Sequence, residues 1–447
     1  MHIQFAGALT EQHNHQHIDH FFSVPEGATR LHIDFEYAPK RIGRYGNLLT
    51  LSLFDPQHER GTGHRGQPTQ QVSISHTEAT PGYHAGPLQP GEWNLMINTN
   101  LILPDATVSY EIRIAFGFDA DITDMPRVWP PGTTAPRGPG WYRGDLHAHT
   151  LHSDGSWDVD GLAHYARSQQ LDFITLTDHN TVSGLDHMHS LASDDLLVMG
   201  GFELTTFYGH ALALGVRELI EWRVHPDERS MTTIQQEIEA AGGLFVIAHP
   251  ECPGDPACTG CHWDYPDLMP GRARIVEICN EHWDSFSNNE AALQLWYQWL
   301  NQGHRLVATS GMDIHGEPPP ARVYLFDVVY SDSLSESAVL AAVRQGHLYL
   351  SSGPQLAFSG HNRGGQSVMM GDTLSGDSVT LTAEWSRCGN TDQVRLIVDG
   401  DLHDSFAADA SGTKSWTFSG KHWSVVEIRD ADDGLLAVTN PIFIQSN

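Results

Sequence analysis

The sequence predicts a multidomain protein of the α/β plus β class, in which a (β/α)-type barrel lies between two β-sandwich domains. Three observations predict it. Apolar and polar residues alternate along residues 1–125 and 351–447, the pattern of strands with one buried face. Short apolar runs alternate with helical patterns along residues 141–350, which is typical of a parallel sheet. Proline and glycine crowd residues 126–140, which we interpret as a linker.

The composition limits the class of protein. With 447 residues the chain can form two to four domains, and its 40% apolar and 18% charged residues are typical of folded proteins. A net charge of −30 disfavours binding to nucleic-acid polymers and anionic membranes, because phosphate surfaces require clustered lysine and arginine. The sequence contains neither a run of about 18 apolar residues nor a recognisable signal peptide, so we expect a cytoplasmic protein. The odd number of cysteines, five, does not suggest a disulfide framework.

Residues 1–125 are expected to form the first β-sandwich. Period-two patterns at Leu31–Tyr37, Leu49–Leu53 and Val108–Phe116 each predict a strand with one buried face. The histidines at positions 13, 15, 17 and 20 are interpreted as part of a solvated polar arm rather than a metal site. No spacing typical of catalytic residues occurs in this region.

The central region, 141–350, combines strand and helix patterns. Apolar runs predict strands at 173–176, 196–198, 211–214, 244–247, 275–278 and 306–308. Helical faces begin at Val159, at Met231 after the N-cap residue Ser230, and at Ala292 before Gly303. With the strand that leads into His147, about seven strands result, which is enough to close a (β/α)-type barrel.

Most of these apolar runs lead into a side chain that can bind metal. His147 and His149 lie two residues apart on an expected extended segment, so both imidazoles point to one side. The other candidates follow or precede separate runs: Asp154, His179, Glu203, His210, His249, Asp313 and His315. Because chemistry gathers at the carboxyl ends of barrel strands, we expect a shared metal centre. Imidazole and carboxylate together suit Zn, Fe or Mn better than Mg or Ca.

These segments resemble the PHP (polymerase and histidinol phosphatase) superfamily of metallohydrolases, and the layout of the chain is similar to its carbaryl-hydrolase-type (CehA/McbA) branch. The matching motifs are DLHAHT at 145–150, SDG at 153–155, TDHN at 177–180, Glu203, the His210 segment, AHP at 248–250 and DIH at 313–315. The resemblance implies a distorted (β/α)7 barrel with two or three divalent metal ions. It further implies three ligand sets: His147, His149, Glu203 and Asp313; Asp154, His179 and His315; and His210 and His249 with Glu203 bridging.

The implied activity is a hydrolase in which a metal-bridging hydroxide attacks phosphorus or an ester carbonyl, with Glu203, Asp154 and His210 as catalytic residues. The chain has no Gly-x-Ser-x-Gly motif, so a serine hydrolase loses its main support. The barrel region contains no lysine, which excludes a Schiff base or a carbamylated-lysine bridge there. Asp178 either orients a ligand or caps a turn, and we favour the turn cap.

A small phosphoester is the preferred substrate. The first alternative is a carbamate or carboxylic ester on the same metal centre, and the second is an inactive β-sandwich binding or scaffold protein. An oligomer is compatible with the sequence. Four polar residues near the strand ends are candidates for substrate contacts: His152, Asn280, His282 and Arg322.

The segment Glu251–Tyr265 carries three cysteines and a histidine whose role the sequence leaves open. Cys258-Thr259-Gly260-Cys261-His262 matches the c-type haem pattern, but haem attachment requires export, for which no signal is visible. A structural zinc site and a lid over the metal centre are equally plausible interpretations. Cys279 and Cys388 are expected to be ordinary buried cysteines.

The last region, 351–447, is expected to form a second β-sandwich. Period two returns at Val379–Trp385 and Val394–Val398, and Gly353-Pro354 marks the predicted boundary. Its expected roles are packing, oligomer contact or shaping of the active-site entrance.

Overall fold

The structure, a computed structural model, describes residues 2–118, 132–191, 195–224, 229–319 and 322–445. The end of the first predicted sandwich, 119–125, and the first part of the predicted linker, 126–131, therefore lie outside the described residues. Among the residues that are described, no helix has the length and apolar character needed to cross a membrane. Multiple sheets with few helices make up the fold, as the sequence predicts.

The first region consists of two antiparallel four-stranded sheets and a short ribbon. Its strands are β1 (His2–Thr10), β2 (His17–Val24), β3 (Arg30–Ala38), β4 (Arg41–Ile42), β5 (Tyr45–Gly46), β6 (Leu48–Phe54), β7 (Glu59–Gly63), β8 (Thr69–Ser75), β9 (Gly91–Leu101) and β10 (Thr107–Gly117). The sheet orders are β1-β10-β3-β8 and β2-β9-β6-β7, and β4 pairs with β5. Alternation places Leu31, Ile33 and Phe35 in one buried core.

The predicted solvated arm at the N-terminus is wrong. The chain forms β1, which pairs with β10 along its whole length, and β2, which pairs with β9. His20 is buried, and its Nε2 lies 2.9 Å from the Tyr110 hydroxyl. Tertiary pairing thus gives this polar segment a fixed place that its composition alone does not predict.

Among its described residues, the central region contains eight strands and four α-helices. They are β11 (Gly140–Asp145), α1 (Val159–Ser168), β12 (Phe173–Leu176), β13 (Leu197–Thr206), β14 (Gly209–Leu214), α2 (Met231–Ala240), β15 (Leu244–Ile247), β16 (Ile275–Asn280), α3 (Asn289–Asn301), β17 (Val307–Gly311), β18 (Phe326–Ser331) and α4 (Glu336–Gln345). The three predicted helices are present, and Ser230 caps α2 by accepting from Thr233 N–H at 3.2 Å. The sequence prediction missed α4, although Ser335 and the left-handed Gly346 mark its two ends.

Seven of these strands lie side by side in the order β17-β16-β15-β14-β13-β12-β11. Beyond the two outer strands, β11 and β17, Ala148 and Ile314 form a parallel bridge, and we call the seven strands together with this bridge the strand ring. The predicted parallel sheet is correct for β11–β12–β13 and for β15–β16–β17. It is wrong for β14, which runs antiparallel to both neighbours, because a two-residue turn joins it to β13 and is too short for a crossover.

The last region shares a sheet with the central one. Its strands are β19 (Leu348–Ser351), β20 (Gln355–Asn362), β21 (Ser367–Met369), β22 (Thr373–Ser375), β23 (Val379–Ser386), β24 (Gln393–Val398), β25 (Asp401–Ala407), β26 (Ser411–Phe418), β27 (His422–Arg429), β28 (Leu435–Thr439) and β29 (Ile442–Gln445). The large sheet continues from β11 through β18, β19, β28, β27 and β24 to β25, and a second sheet, β21-β20-β23-β26, packs on it.

The first region docks on the central one beside the ends of β11 and β12. Gly82 N–H donates to the Ser183 hydroxyl at 3.0 Å, and the Thr181 hydroxyl donates to the Gly82 carbonyl at 3.0 Å. A Cβ atom at Gly82 would lie 2.7 Å from the His152 carbonyl oxygen, so the close approach requires glycine there. These contacts hold the first region near the mouth of the strand ring.

We predict that Glu59→Gln stabilises the protein above pH 7. Burial raises the pKa of Glu59 to about 7 at this interface, next to Glu221 and Arg223. The folded state keeps a proton that the unfolded state releases near pH 4.5, so stability falls as pH rises through this window. Glutamine cannot ionise, and its carbonyl can still accept from the Thr62 hydroxyl. The gain should reach at most about 3 kcal/mol.

Melting temperatures of both proteins between pH 5 and 8.5 test this. The advantage of the variant should grow up to about pH 7 and then level off. The exposed Glu26→Gln change is the control and should give no such pH-dependent gain. An advantage of Glu59→Gln that is constant with pH would contradict the prediction.

Candidate metal centre

The strand ring brings the predicted metal ligands together. The backbone of Ala148 is held on one side by Thr177, whose N–H donates to its carbonyl at 3.0 Å, and on the other side by the bridge to Ile314. His147 and His149 flank Ala148 on this extended segment, and both imidazoles are completely buried with ring centroids 5.1 Å apart. The expected i, i+2 arrangement is therefore present in the structure.

The second pair of candidate ligands lies on the β13–β14 hairpin. The sequence predicted that Glu203 follows the end of its strand, but it lies within β13. Its side chain is fully buried. His210 lies on β14 and its Nδ1 is 3.0 Å from Glu203 Oε1. The antiparallel reversal that the sequence prediction missed is thus what brings His210 to Glu203.

Two further candidates, His249 and Asp313, follow strands β15 and β17. His249 Nε2 lies 3.1 Å from Glu203 Oε1, and Asp313 Oδ1 lies 2.8 Å from His149 Nε2. His249 has φ +29° and Asp313 has φ +47°, conformations that are costly for residues other than glycine. Such strain persists only where the surrounding structure enforces it, and it is concentrated at functional sites.

Three overlapping groups of side chains offer ligand atoms that lie within 4.8 Å of one another. They are His147, His149, Glu203 and Asp313; His149, Asp154, His179 and His315; and His179, Glu203 and His210. His149 and His179 each belong to two groups, so the groups adjoin. Asp154 Oδ1 lies 3.1 Å from His315 Nε2 and 3.6 Å from His179 Nε2.

Unpaired polar atoms test whether these residues suit a metal. Within these groups, five buried atoms make no hydrogen bond of suitable geometry among the described residues: His147 Nε2, His149 Nε2, Glu203 Oε2, His210 Nε2 and Asp313 Oδ1. Buried polar atoms are costly unless satisfied, and these five atoms belong to the side chains of the three groups. Divalent cations would satisfy them, and the mixed imidazole and carboxylate set suits Zn, Fe or Mn.

The charge states of Glu203, Asp313 and His149 suit metal binding, whereas the neighbouring carboxylates raise the pKa of His147, His179, His249 and His315, so a cation would have to displace protons there. Burial would raise the pKa of Glu203, but the imidazoles of His179, His147 and His210 outweigh it and hold this pKa well below its usual value. The pKa of Asp313 is also held well below its usual value, against burial, chiefly by His147. Burial and the neighbouring His315 lower the pKa of His149 to about 4, which keeps that imidazole neutral.

A buried carboxylate that the sequence prediction missed supports the first group. Glu277 on β16 is fully buried, with Oε1 3.2 Å from His147 Nδ1, and its Oε2 accepts from His249 N–H at 3.1 Å. A Cβ at Gly311 would lie 1.9 Å from Glu277 Oε1, so glycine is required there. The sequence feature that could have indicated Glu277 is its position as a charged residue inside the apolar run Ile275–Ile278.

Asp178 braces the loop that follows β11. It accepts hydrogen bonds from Thr150 N–H at 2.8 Å, from the Thr150 hydroxyl at 2.7 Å and from the Ser153 hydroxyl at 2.7 Å. The Ser153 hydroxyl in turn lies 3.4 Å from His149 Nδ1. Asp178 thus both fixes the turn and reaches a candidate ligand through Ser153.

None of the four predicted substrate contacts lines the cavity over the candidate ligands. Asn280 Nδ2 donates to Asp313 Oδ2 at 3.2 Å, and His152 Nδ1 lies 2.7 Å from the Ser183 hydroxyl. His282 lines a neighbouring cavity beside Glu281, and Arg322 lines a third one beside Trp157 and Tyr165. Asn280 thus contacts a candidate ligand directly, and His282 shares its cavity with the candidate ligands Asp313 and His315.

A cavity of about 380 Å³ opens over the candidate ligands. Besides them it is lined by residues of the first region, in which the sequence showed no catalytic spacing: Lys40, Arg41, Arg44, Tyr45, Gly46, Leu48, His64 and Leu101. The ring of His64 packs on His179 with centroids 4.5 Å apart. This contribution depends on how two domains dock, which no local sequence pattern reports.

The cysteine segment lines the same cavity. Cys258 and Cys261 form a disulfide, which the odd number of cysteines had not suggested, and Cys252 is a buried thiol. Pro256, Cys258 and Cys261 line the cavity, which supports the interpretation as a lid. The three sulfur atoms also lie within 4.8 Å of one another, so the zinc interpretation stays open for the reduced segment.

Comparisons with known proteins give distant structural similarity only. No protein-family model and no curated protein matches the chain. A two-domain protein from Bacteroides vulgatus containing a predicted PHP-like metal-dependent phosphoesterase is 15% identical, with 71% of this chain and 100% of that chain covered and a TM-score of 0.38. A protein named a metal-dependent phosphoesterase from Bifidobacterium adolescentis is 15% identical, with coverages of 45% and 93% and a TM-score of 0.30. An amidohydrolase from Chromobacterium violaceum is 17% identical, with coverages of 40% and 92% and a TM-score of 0.27. We therefore base the assignment of function on the geometry of the site.

We predict that the purified protein holds two or three equivalents of Mn, Fe or Zn and that Asp154→Ala and His210→Ala each lower this content. Each substitution removes a ligand from one of the three groups. Elemental mass spectrometry measures the content, with the exposed Asp332→Ala as matched control. Content that is unchanged in both variants would place the metal elsewhere in the chain.

We predict that Glu277→Gln weakens metal binding by about 10- to 100-fold without unfolding the protein. The Glu277 carboxylate accepts a hydrogen bond from His147 Nδ1–H, which leaves His147 Nε2 free to bind metal in the ligand group. Glutamine keeps an acceptor for His249 N–H but loses the charge. Competition against a fluorescent chelator measures affinity, and circular dichroism checks the fold. If the folded variant binds metal with wild-type affinity, the charge of Glu277 does not support the metal ligands and the residue has a packing role.

Proposed function

We propose that this protein is a metal-dependent hydrolase of the PHP type that acts on a small phosphoester. The observation that carries the proposal is the set of five buried, unpaired ligand atoms within three adjoining groups, beneath a cavity of about 380 Å³. Such a cavity holds a small molecule rather than a polymer. Divalent ions, when bound, supply an acidified water and electrophilic contacts to the oxygens of the ester.

The finer features of the fold belong to the same proposal. The seven strands β11 to β17, joined by the bridge between Ala148 and Ile314, would be the distorted (β/α)7 barrel of the carbaryl-hydrolase-type branch. The flanking domains would be β-sandwiches at 1–125 and 351–447. Antiparallel β14 accounts for the distortion.

The chain's own residues have distinct parts in this proposal. Glu203 stays ionised and offers one oxygen to His210 and His249 and the other to His147, His149 and His179, so it bridges ligand groups. Asp154 lies between His179 and His315 and completes the second group.

Adjoining ligand groups favour a phosphoester over a carbamate or carboxylic ester. In-line displacement at phosphorus develops charge on both the attacking and the leaving oxygen, and cations held by the adjoining groups would stabilise both. A complete set of ligands also argues against an inactive scaffold, since unpaired buried polar atoms destabilise a fold.

We predict that the metal-loaded protein hydrolyses p-nitrophenyl phosphate and that Glu203→Gln lowers kcat by about 10³-fold. Loss of the buried charge disrupts the groups that share Glu203. Release of nitrophenolate measures the rate, chelation should abolish it and added metal should restore it. Exposed Glu92→Gln serves as control.

Three outcomes separate the possible conclusions. Wild-type turnover by Glu203→Gln would refute the proposed mechanism. Hydrolysis of p-nitrophenyl acetate or an aryl carbamate, with none of the phosphate, would keep the hydrolase and replace its substrate class. No hydrolysis of any of them by the metal-loaded protein would favour the scaffold.

A further inference from the structure

We propose that the β4–β5 ribbon, residues 40–46, recognises a second acidic group of the substrate, a carboxylate or phosphate distant from the ester bond that is cleaved. This inference rests on the proposed function of the metal centre and specifies its substrate class. The substrate would be a small molecule with an acidic group at each end.

The ribbon and the metal centre share one cavity. Lys40, Arg41 and Arg44 line it together with candidate ligands that include Asp154 and His315. The ribbon belongs to the first region, whereas every candidate ligand belongs to the central one. Two separate structural elements therefore face the same ligand space, which suits recognition of two different parts of one molecule.

The charge at the ribbon runs against that of the chain. The sequence has 55 acidic and 25 basic residues, yet Lys40, Arg41 and Arg44 lie within five consecutive positions. Arg41 and Arg44 are exposed, and neither forms an ion pair with a carboxylate within the described ranges. Guanidinium groups present paired donors that match carboxylate and phosphate oxygens. An anion entering this cavity would meet two arginines that form no ion pair among the described residues.

Lys40 anchors the ribbon and is not itself available. Its Nζ donates to the Asn47 carbonyl at 2.8 Å and to the Tyr37 hydroxyl at 3.2 Å. Asn47 is fully buried, and its Nδ2 donates to the Pro39 carbonyl at 2.7 Å. The base of the ribbon is therefore fixed, and the anion-binding role falls to the two arginines.

The tip of the ribbon is also ordered by local contacts. Gly43 has φ +64°, a conformation that favours glycine and allows the two-residue turn between β4 and β5. The Arg44 guanidinium lies 4.6 Å from the centre of the Tyr45 ring. Arg41 donates to the Arg44 carbonyl at 3.5 Å. Ordered arginines lose less entropy on binding an anion than free ones.

Binding of matched phosphonates to the Mn²⁺-loaded protein tests the inference without relying on turnover. Propylphosphonate and 3-phosphonopropionate form one pair, and butylphosphonate and 4-phosphonobutyrate form a second. The phosphonate serves as the group for the metal centre, and the members of each pair differ in the terminal carboxylate. Isothermal titration calorimetry gives Kd for each.

In the wild-type protein we expect at least one carboxylate to improve affinity about tenfold over its matched alkylphosphonate. Arg41→Gln and Arg44→Gln should each remove most of that gain while leaving the Kd of the alkylphosphonate unchanged. Arg30→Gln, an exposed arginine on β3, is the control and should keep the gain. The gain should also shrink at high ionic strength, because exposed charges are screened.

Each other outcome overturns a stated claim. No gain from either carboxylate, with normal binding of the alkylphosphonates, refutes the ribbon's role and leaves the proposed function standing. Equal loss of affinity for all four compounds in the variants means that the arginines bind the reacting group instead. Absence of alkylphosphonate binding to the metal-loaded wild type refutes the phosphoester function and this inference with it.

Discussion

The buried charge of Glu203 is the constraint on which the rest of the site depends. Its side chain has no exposed surface, yet five imidazoles from four chain segments lie within 3.3 Å of its two oxygens. An isolated carboxylate in this position would be strongly destabilising, so the histidines and the carboxylate require one another. Because the histidines follow or lie on different strands, the constraint acts on the whole ring. The bridge between Ala148 and Ile314 and the β13–β14 hairpin are the backbone features that satisfy it.

A second layer of polar groups keeps the ligands in place. Glu277 reaches both His147 and the backbone of His249, and Asp178 holds Thr150 and Ser153 beside His149. Both carboxylates come from strands, or residues directly after strands, that neighbour the ligands they support. Their positions follow from the sheet, whereas the ligands on loops, such as Asp313 with its positive φ, depend on these contacts.

The sequence predicts those features that depend on local pattern and misses those that depend on docking. The cap at Ser230 and the apolar face of α2 can be predicted because the residues that form them are close in sequence. The His147–His149 pair can be predicted for the same reason. Strand β14 runs antiparallel to β13 because a two-residue turn joins them. The apolar run Ala211–Leu214 predicts a strand but not the direction in which it runs. Glu277 sits within an apolar run that periodicity treats as plain strand. The ribbon reaches the metal centre because the first region docks on the central one, through contacts such as Gly82 to Ser183 between residues about a hundred positions apart.

The docking surface therefore belongs to the proposed substrate recognition. Chemistry would be carried by the strand ring, whereas Arg41 and Arg44 are held by a different domain. Gly82 contacts Ser183 and Thr181, which directly follow the TDHN segment that contains His179. A shift at that contact would therefore move the arginines relative to the metal ligands. In a chain with a net charge of −30, two sources of positive charge, the cations and the ribbon, would together attract an acidic ligand, and the distance between them would select its length. Under this proposal, separation of the two functions between the first and the central region would let substrate length change through the first region without a substitution of any metal ligand.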